Sequence, residues 1–120
     1  MEGKGKDIHD RIYLLVLNVL RFTKKIPKSI ENQVLLQQLY RSVTSVGAND
    51  QEADGALTKA DFIHCYTIVR KEAKESIYWI RLLVDTNKIS SSEVEDIISE
   101  SEEIVKIITT IIFKTRNRKL

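Results

Sequence analysis

Arg41-Ser-Val-Thr-Ser-Val-Gly47-Ala-Asn49-Asp-Gln-Glu52-Ala53 is the stretch on which the reading of this chain turns, with Lys59-Ala-Asp61-Phe62-Ile63 close behind it. Its apolar residues recur with a helical period, yet small and polar residues stand where a helix normally carries large apolar ones. A helix that is small and polar on its inner side either lets another backbone approach closely or holds a polar network. It is expected to begin after Ser29, a good N-cap, and to run to about Asp54, with Gly55 as its stop. Leu36, Leu39, Val43, Val46 and Ala53 form its apolar stripe. Gly47 costs about 1 kcal/mol relative to Ala in a helix interior, which marks a close helix crossing there.

Outward from this helix lie three more. The first is expected over Asp7 to Lys25, with Ile8, Ile12, Leu15, Val16, Val19, Phe22 and Ile26 on one arc and Leu14 and Leu17 on the far side. Pro27 ends it, since the residue before a proline is driven out of helical geometry. The third opens at Thr58 with capping-box spacing to Asp61 and reaches about Thr86, with Asn87 as its cap. It carries two adjacent stripes, one of Phe62, Tyr66, Val69, Ala73, Ile77, Ile80 and Val84, the other of Cys65, Ile68, Glu72, Glu75, Trp79 and Leu82. The fourth follows Ser90-Ser-Ser-Glu93, where Ser90 with Glu93 or Ser92 with Glu95 forms the box. Val94, Ile97, Ile98, Ser101, Ile104, Val105, Ile108, Ile111 and Ile112 make its apolar face. Lys114 and Arg116 suit the negative end of its dipole. Four long helices with three short connections predict a single all-α domain, an up-down-up-down antiparallel four-helix bundle. It is flanked by a short flexible segment over 1–6 and a basic tail over 114–120. That topology would bring Lys4, Lys6, Lys59 and the tail to one end.

Composition excludes several classes. At 120 residues, 42% hydrophobic and 30% charged, the chain is neither disordered nor membrane-embedded. The apolar run through Tyr13 to Leu17 is far short of a bilayer span, and no signal-peptide core is present. One proline and four glycines are too few for an all-β chain. The lone Cys65 fits a reducing cytoplasm and reads as a small buried residue. Net charge is +2, but Lys114, Arg116, Arg118 and Lys119 crowd the last seven residues. Setting those four aside leaves a mildly acidic body.

Catalysis finds no support, and no cofactor or metal is implied. A di-iron bundle needs two Glu-x-x-His motifs, whereas His9 and His64 are the only histidines. No Ser-His-Asp set, phosphate-cradling glycine loop or Cys-x-x-Cys is present. Glu72 and Glu75 lie in an apolar stripe beside Trp79, and buried carboxylates demand partners. Arg41, Asn49, Glu52 and the hydroxyls of Ser42, Thr44 and Ser45 are the candidates for a polar network with them. The Arg70, Lys71, Lys74 and Arg81 face and the basic tail are candidate phosphate contacts. No aromatic residues stand at spacings that would read single-stranded bases. The apolar surplus of Leu14, Leu17, Ile107 and the second stripe of the third helix points to self-association.

Three motifs carry a family resemblance. They are Arg41-Ser-x-Thr44-Ser45-Val46-Gly47-Ala48-Asn49 with Glu52-Ala53, then Thr58-Lys59-x-Asp61-Phe62-Ile63, then Lys71-Glu72-Ala73-x-Glu75-x-x-Tyr78-Trp79-x-x-Leu82-Leu83. Together they resemble the 23S rRNA intervening-sequence proteins over Ile12 to about Ile112. Thr58 stands where the family more often has Ser, and Asp50 and Gly55 depart from its pattern. The resemblance implies a bacterial cytoplasmic protein, a left-handed antiparallel bundle and assembly into a ring, commonly a homopentamer. Members are encoded within insertions in large-subunit rRNA genes, and relatives bind nucleic acid beside a reverse transcriptase. It carries over Arg41, Asn49, Glu52, Asp61, Glu72, Glu75 and Trp79 with no catalytic role for any. The expected function is a non-enzymatic oligomeric bundle that meets structured RNA or other nucleic acid through basic surfaces. The rival is a protein-interaction scaffold that never binds nucleic acid.

Overall fold

The computed structural model describes residues 7–118. Four helices follow one another: α1 (Ile8–Thr23), α2 (Ile30–Asp54), α3 (Lys59–Asn87) and α4 (Ser92–Arg116). Each packs against two neighbours, in the cyclic order α1, α2, α3, α4, with no diagonal contact among the described residues. This is the antiparallel up-down-up-down bundle, drawn out to 52 × 29 × 18 Å.

Helix starts follow capping chemistry. Asp7, Ser29 and Thr58 are extended residues whose side chains accept from the backbone N–H three positions on, satisfying an otherwise orphaned donor. At the fourth start, Ser91 caps by accepting from Val94 N–H, so neither Ser90 nor Ser92 is the cap. Three consecutive serines offer equivalent hydroxyls, and packing of Val94 and Ile97 into the core selects between them. Asn87 does not cap α3. It stays helical, and Lys88 takes the left-handed conformation at φ 55°. Ile89 N–H then reaches Val84 O at 2.9 Å, a Schellman closure with Lys in glycine's usual place. α1 ends at Thr23, and Lys24, Lys25 and Ile26 continue in tighter three-residue hydrogen bonds before Pro27. Lys114 and Arg116 belong to the last turn of α4, so the basic tail starts as helix.

The core runs the length of the bundle, with Ile12, Val19 and Phe22 of α1 meeting Leu39, Val43 and Val46 of α2, Val69, Ile80 and Leu83 of α3, and Ile104 and Ile108 of α4. All are essentially inaccessible to water. Burying a side chain of this size contributes roughly 1.5–3 kcal/mol. Gly47 does face α1, but a β-carbon there would sit 3.5 Å from Val16 Cγ2, an ordinary contact. The crossing is therefore looser than the glycine implies.

Candidate functional site

The basic residues of α3 meet α4 along one edge of the bundle. Arg70, Lys74, Ile77 and Arg81 recur at helical spacing, which turns them to a common side. Arg70 Nε donates to Thr109 Oγ1 at 2.8 Å. Lys74, Ile77 and Arg81 line a shallow groove of about 430 Å³ with Glu102, Val105 and Lys106. Arg81 reaches Glu102 at 3.8 Å, and both are more than half exposed, so the pair is weak and Arg81 is only partly neutralised. Lys71 is also exposed but lies one residue from Arg70, about 100° round the helix and away from the groove. Lys106 was not singled out in the sequence because it stands alone among acids and isoleucines on α4. Only the pairing of α3 with α4 sets it beside Lys74.

At the end of this edge the tail is held in place. Lys59 Nζ donates to Arg116 O at 3.2 Å and Arg118 O at 3.0 Å, placing a cation against the carbonyl-rich end of α4. Lys114, Arg116 and Arg118 are described. Lys119, Lys4 and Lys6 lie outside the described residues.

Arg41, Asn49, Glu52, Glu72 and Glu75 sit along the seam between α2 and α3, but they do not close a buried network. Arg41 and Glu52 are exposed, and Asn49, Glu72 and Glu75 are half-buried. Asn49 donates to Ser45 O and Oγ of its own helix. Glu75 accepts from Trp79 Nε1 at 3.1 Å. Burial, and then the neighbouring Glu75, hold the Glu72 carboxyl above its ordinary range, against a weaker pull from Lys71 and Arg41. The buried link across the seam is Ser42 Oγ to Ser76 Oγ at 2.8 Å. Side chains this small bring α2 and α3 close, so the longer polar groups are left at the rim.

Three buried polar clusters were not foreseen. The Asp50 carboxylate, 1% exposed, accepts from His9 Nδ1 at 3.0 Å and from Tyr66 O–H at 2.9 Å. The hydrogen bond to Asp50 raises the His9 pKa above its ordinary value, and burial opposes it. Burial and Asp50 push the Tyr66 hydroxyl up strongly. Arg11, itself buried, donates to Glu100 through Nε and Nη2 and to Glu103 through Nη2. Asn32 and Asn87 exchange amide hydrogen bonds at 2.9 Å, joining the start of α2 to the end of α3. Partners 41, 89 and 55 residues apart leave no local pattern. The one available signal was polar residues in phase with an apolar stripe: Asp50 with Val43 and Val46, and Arg11 with Leu15 and Phe22.

Burial, with a smaller push from Glu52 and Asp61, also raises the free Cys65 thiol. Among the described residues no three His, Cys, Asp or Glu side chains converge to hold a metal ion. No described helix is long and apolar enough to cross a membrane.

The chain is similar to a crystal structure from Bacteroides thetaiotaomicron, a protein of unknown function from the S23 ribosomal protein family. The two are 33% identical with a TM-score of 0.77, over 88% of this chain and 98% of that one. No curated protein matches. A profile described as 23S rRNA-intervening sequence protein matches residues 6–110. With four antiparallel helices over the same span, the chain belongs to the 23S rRNA-intervening sequence protein family.

Proposed function

We propose that this protein is a non-enzymatic, self-associating bundle that binds RNA through its α3–α4 edge. The observation that carries this reading is the gathering of cations from α3 and α4 on one side. Arg70 and Lys74 come from α3 and Lys106 from α4, and at the end of the same edge Lys59 bonds the carbonyls of Arg116 and Arg118. Glu102, the acid that lines the groove, is partly matched by Arg81. A track of this kind supplies phosphate contacts and draws polyanions in by long-range attraction. Family membership supports an association with rRNA only through the family's name.

Self-association rests on apolar surface. Tyr13 is 68% exposed and Val34 58%, while Leu14 and Leu17, on the side of α1 away from its core arc, are half-buried. A ring would repeat the basic edge around its circumference, and several weak edges acting together bind far more tightly than one.

Mass by light scattering at about 50 and 500 mM salt, with and without a structured RNA, tests both parts. An oligomer that takes up RNA at low salt and releases it at high salt is expected. Replacing Lys74 and Lys106 with Gln should weaken binding and flatten the salt slope by about one unit for each phosphate no longer neutralised. An oligomer that ignores RNA at both salts would leave a protein-interaction scaffold as the better account. A monomer would remove self-association.

A further inference from the structure

Opposite sides of the bundle carry a groove and a ridge at the same end. α1 and α4 pack less closely than any other neighbouring pair, and between them runs an open groove of about 810 Å³. Leu14, Leu15 and Ile97 give it an apolar lining, with Arg21 on the α1 wall and Asp96 on the α4 wall. In the cyclic order of the helices, the α2–α3 seam is the side that faces away from this groove. On that seam Ile30 and Val34 of α2 are 87% and 58% exposed. Val34 falls between the Asn32–Asn87 and Ser42–Ser76 bonds, and so do the half-buried Trp79 and Leu82 of α3. Three residues apart, Trp79 and Leu82 share one side of their helix. α1 and α3 finish, and α2 and α4 begin, at the end of the bundle that groove and ridge have in common.

We propose that the α2–α3 ridge of one copy seats in the α1–α4 groove of the next. This rests on the self-association proposed above and adds which face meets which. A second copy covers both apolar patches at once, where an unrelated helix in the groove would leave Ile30 and Val34 in water. Charge selects the orientation. Arg21 and Asp96 in the groove have no ion-pair partner among the described residues, and neither do Glu31 and Lys88 beside the ridge. Glu31 follows Ile30 in the first turn of α2, and Lys88 closes α3. With two copies parallel and side by side, α2 of one faces α1 of the other, and α3 faces α4. Glu31 then comes toward Arg21, and Lys88 toward Asp96. Inverting the second copy would turn Glu31 toward Asp96 and Lys88 toward Arg21, like charge against like. Groove and ridge are different patches, so the contact is head to tail and each copy takes one neighbour on either side. The α3–α4 side, with Lys74 and Lys106, stays open to solvent.

The test is mass by light scattering over a concentration series, with two variants that each spoil one face. A ridge variant carries Ile30→Lys with Val34→Asp, and a groove variant carries Arg21→Glu with Asp96→Lys. Each should weaken association by about tenfold or more. Mixed together, the two should form a one-to-one dimer and nothing larger, because one sound groove and one sound ridge remain between them. Adding Glu31→Arg and Lys88→Glu to the groove variant exchanges both charge pairs, and should restore the parental mass. All six side chains are exposed, so circular dichroism should show every variant folded. Variants that keep the parental mass, a mixture that stays monomeric, or a charge exchange that restores nothing would overturn the inference. In that event an oligomeric parent would still uphold self-association itself. A parent that is monomeric at every concentration would overturn both.

Discussion

His9 holds the first turn of α1 to the bundle through a carboxylate that is almost wholly shielded from water, and its removal should be felt well beyond that turn. Asp50 is 1% exposed and has two donors, His9 Nδ1 and the Tyr66 hydroxyl. His9→Ala deletes the cation that pairs with it. Breaking a fully buried ion pair costs about 3–5 kcal/mol. The His9 side chain is 35% exposed, so water screens part of that attraction, and about 2 kcal/mol is the expected loss at pH 6. For a domain of this size that is a fall of roughly 8 °C in Tm.

The pH dependence carries the sign. Asp50 chiefly, with Asp54 and Asp7 adding smaller attraction, raises the folded pKa of His9 above its ordinary 6.5. The protonated ring is thus bound more tightly in the folded state. Its contribution is complete below 6.5 and is lost as pH climbs through the higher folded value. Thermal or urea melts of the parent from about pH 6 to 9 should show stability falling over that window. His9→Gln, which keeps a donor but no charge, should show a flatter profile. Above the window the neutral ring of the parent still donates from Nδ1, so its advantage over His9→Ala narrows to about 1 kcal/mol. A parent profile that stays flat across the window, or a His9→Ala variant that loses stability in step with it, would refute this account of the cluster.

Two further outcomes bear on packing. Gly47→Ala should raise stability by about 0.5–1 kcal/mol, because the added β-carbon makes only an ordinary contact with Val16 while the helix gains propensity; a destabilised variant in chemical melts would mean that the α1–α2 crossing needs the glycine. Arg11→Leu leaves Glu100 and Glu103 facing each other without their shared cation, and should cost about 2 kcal/mol once the 44% exposure of Glu103 is discounted. Adding Glu100→Gln to Arg11→Leu should recover part of that loss in a double-mutant cycle, and strict additivity would show that the three groups do not act together.

Most of the fold was legible because bundle architecture is written in local periodicity. The stripes of α1 and α4 and the Ser29 and Thr58 caps each depend on residues within a turn or two of one another, and the structure has them where the periods place them, while the core face of α3 also takes in Ser76 and Leu83, which neither of its stripes held. Two caps slipped, and mid-helix Gly47 proved to mark only an ordinary contact. The Ser90–Ser92 run offers three equivalent hydroxyls, and Asn87 is diverted by Asn32, a partner on another helix. Helical spacing also put Arg70, Lys74 and Arg81 on one side of α3 without any knowledge of what they face.

The chain on its own determined four amphipathic helices, short connections and hence an antiparallel bundle, because apolar burial acts through a repeat that each segment carries internally. Tertiary structure alone decided which polar groups are buried and which basic groups share an edge. The Glu72 and Glu75 stripe looked like the interior, but the small Ser42 and Ser76 occupy the closest approach of α2 and α3 and leave the carboxylates at the rim. Asp50, which looked like an incidental departure in the motif, became the buried acceptor once α1 and α3 brought His9 and Tyr66 to it. Lys106 drew no attention singly and shares a groove with Lys74 only because α3 and α4 run side by side. Hydrogen bonding and charge act over a few ångströms in space, and separations in sequence do not encode those distances.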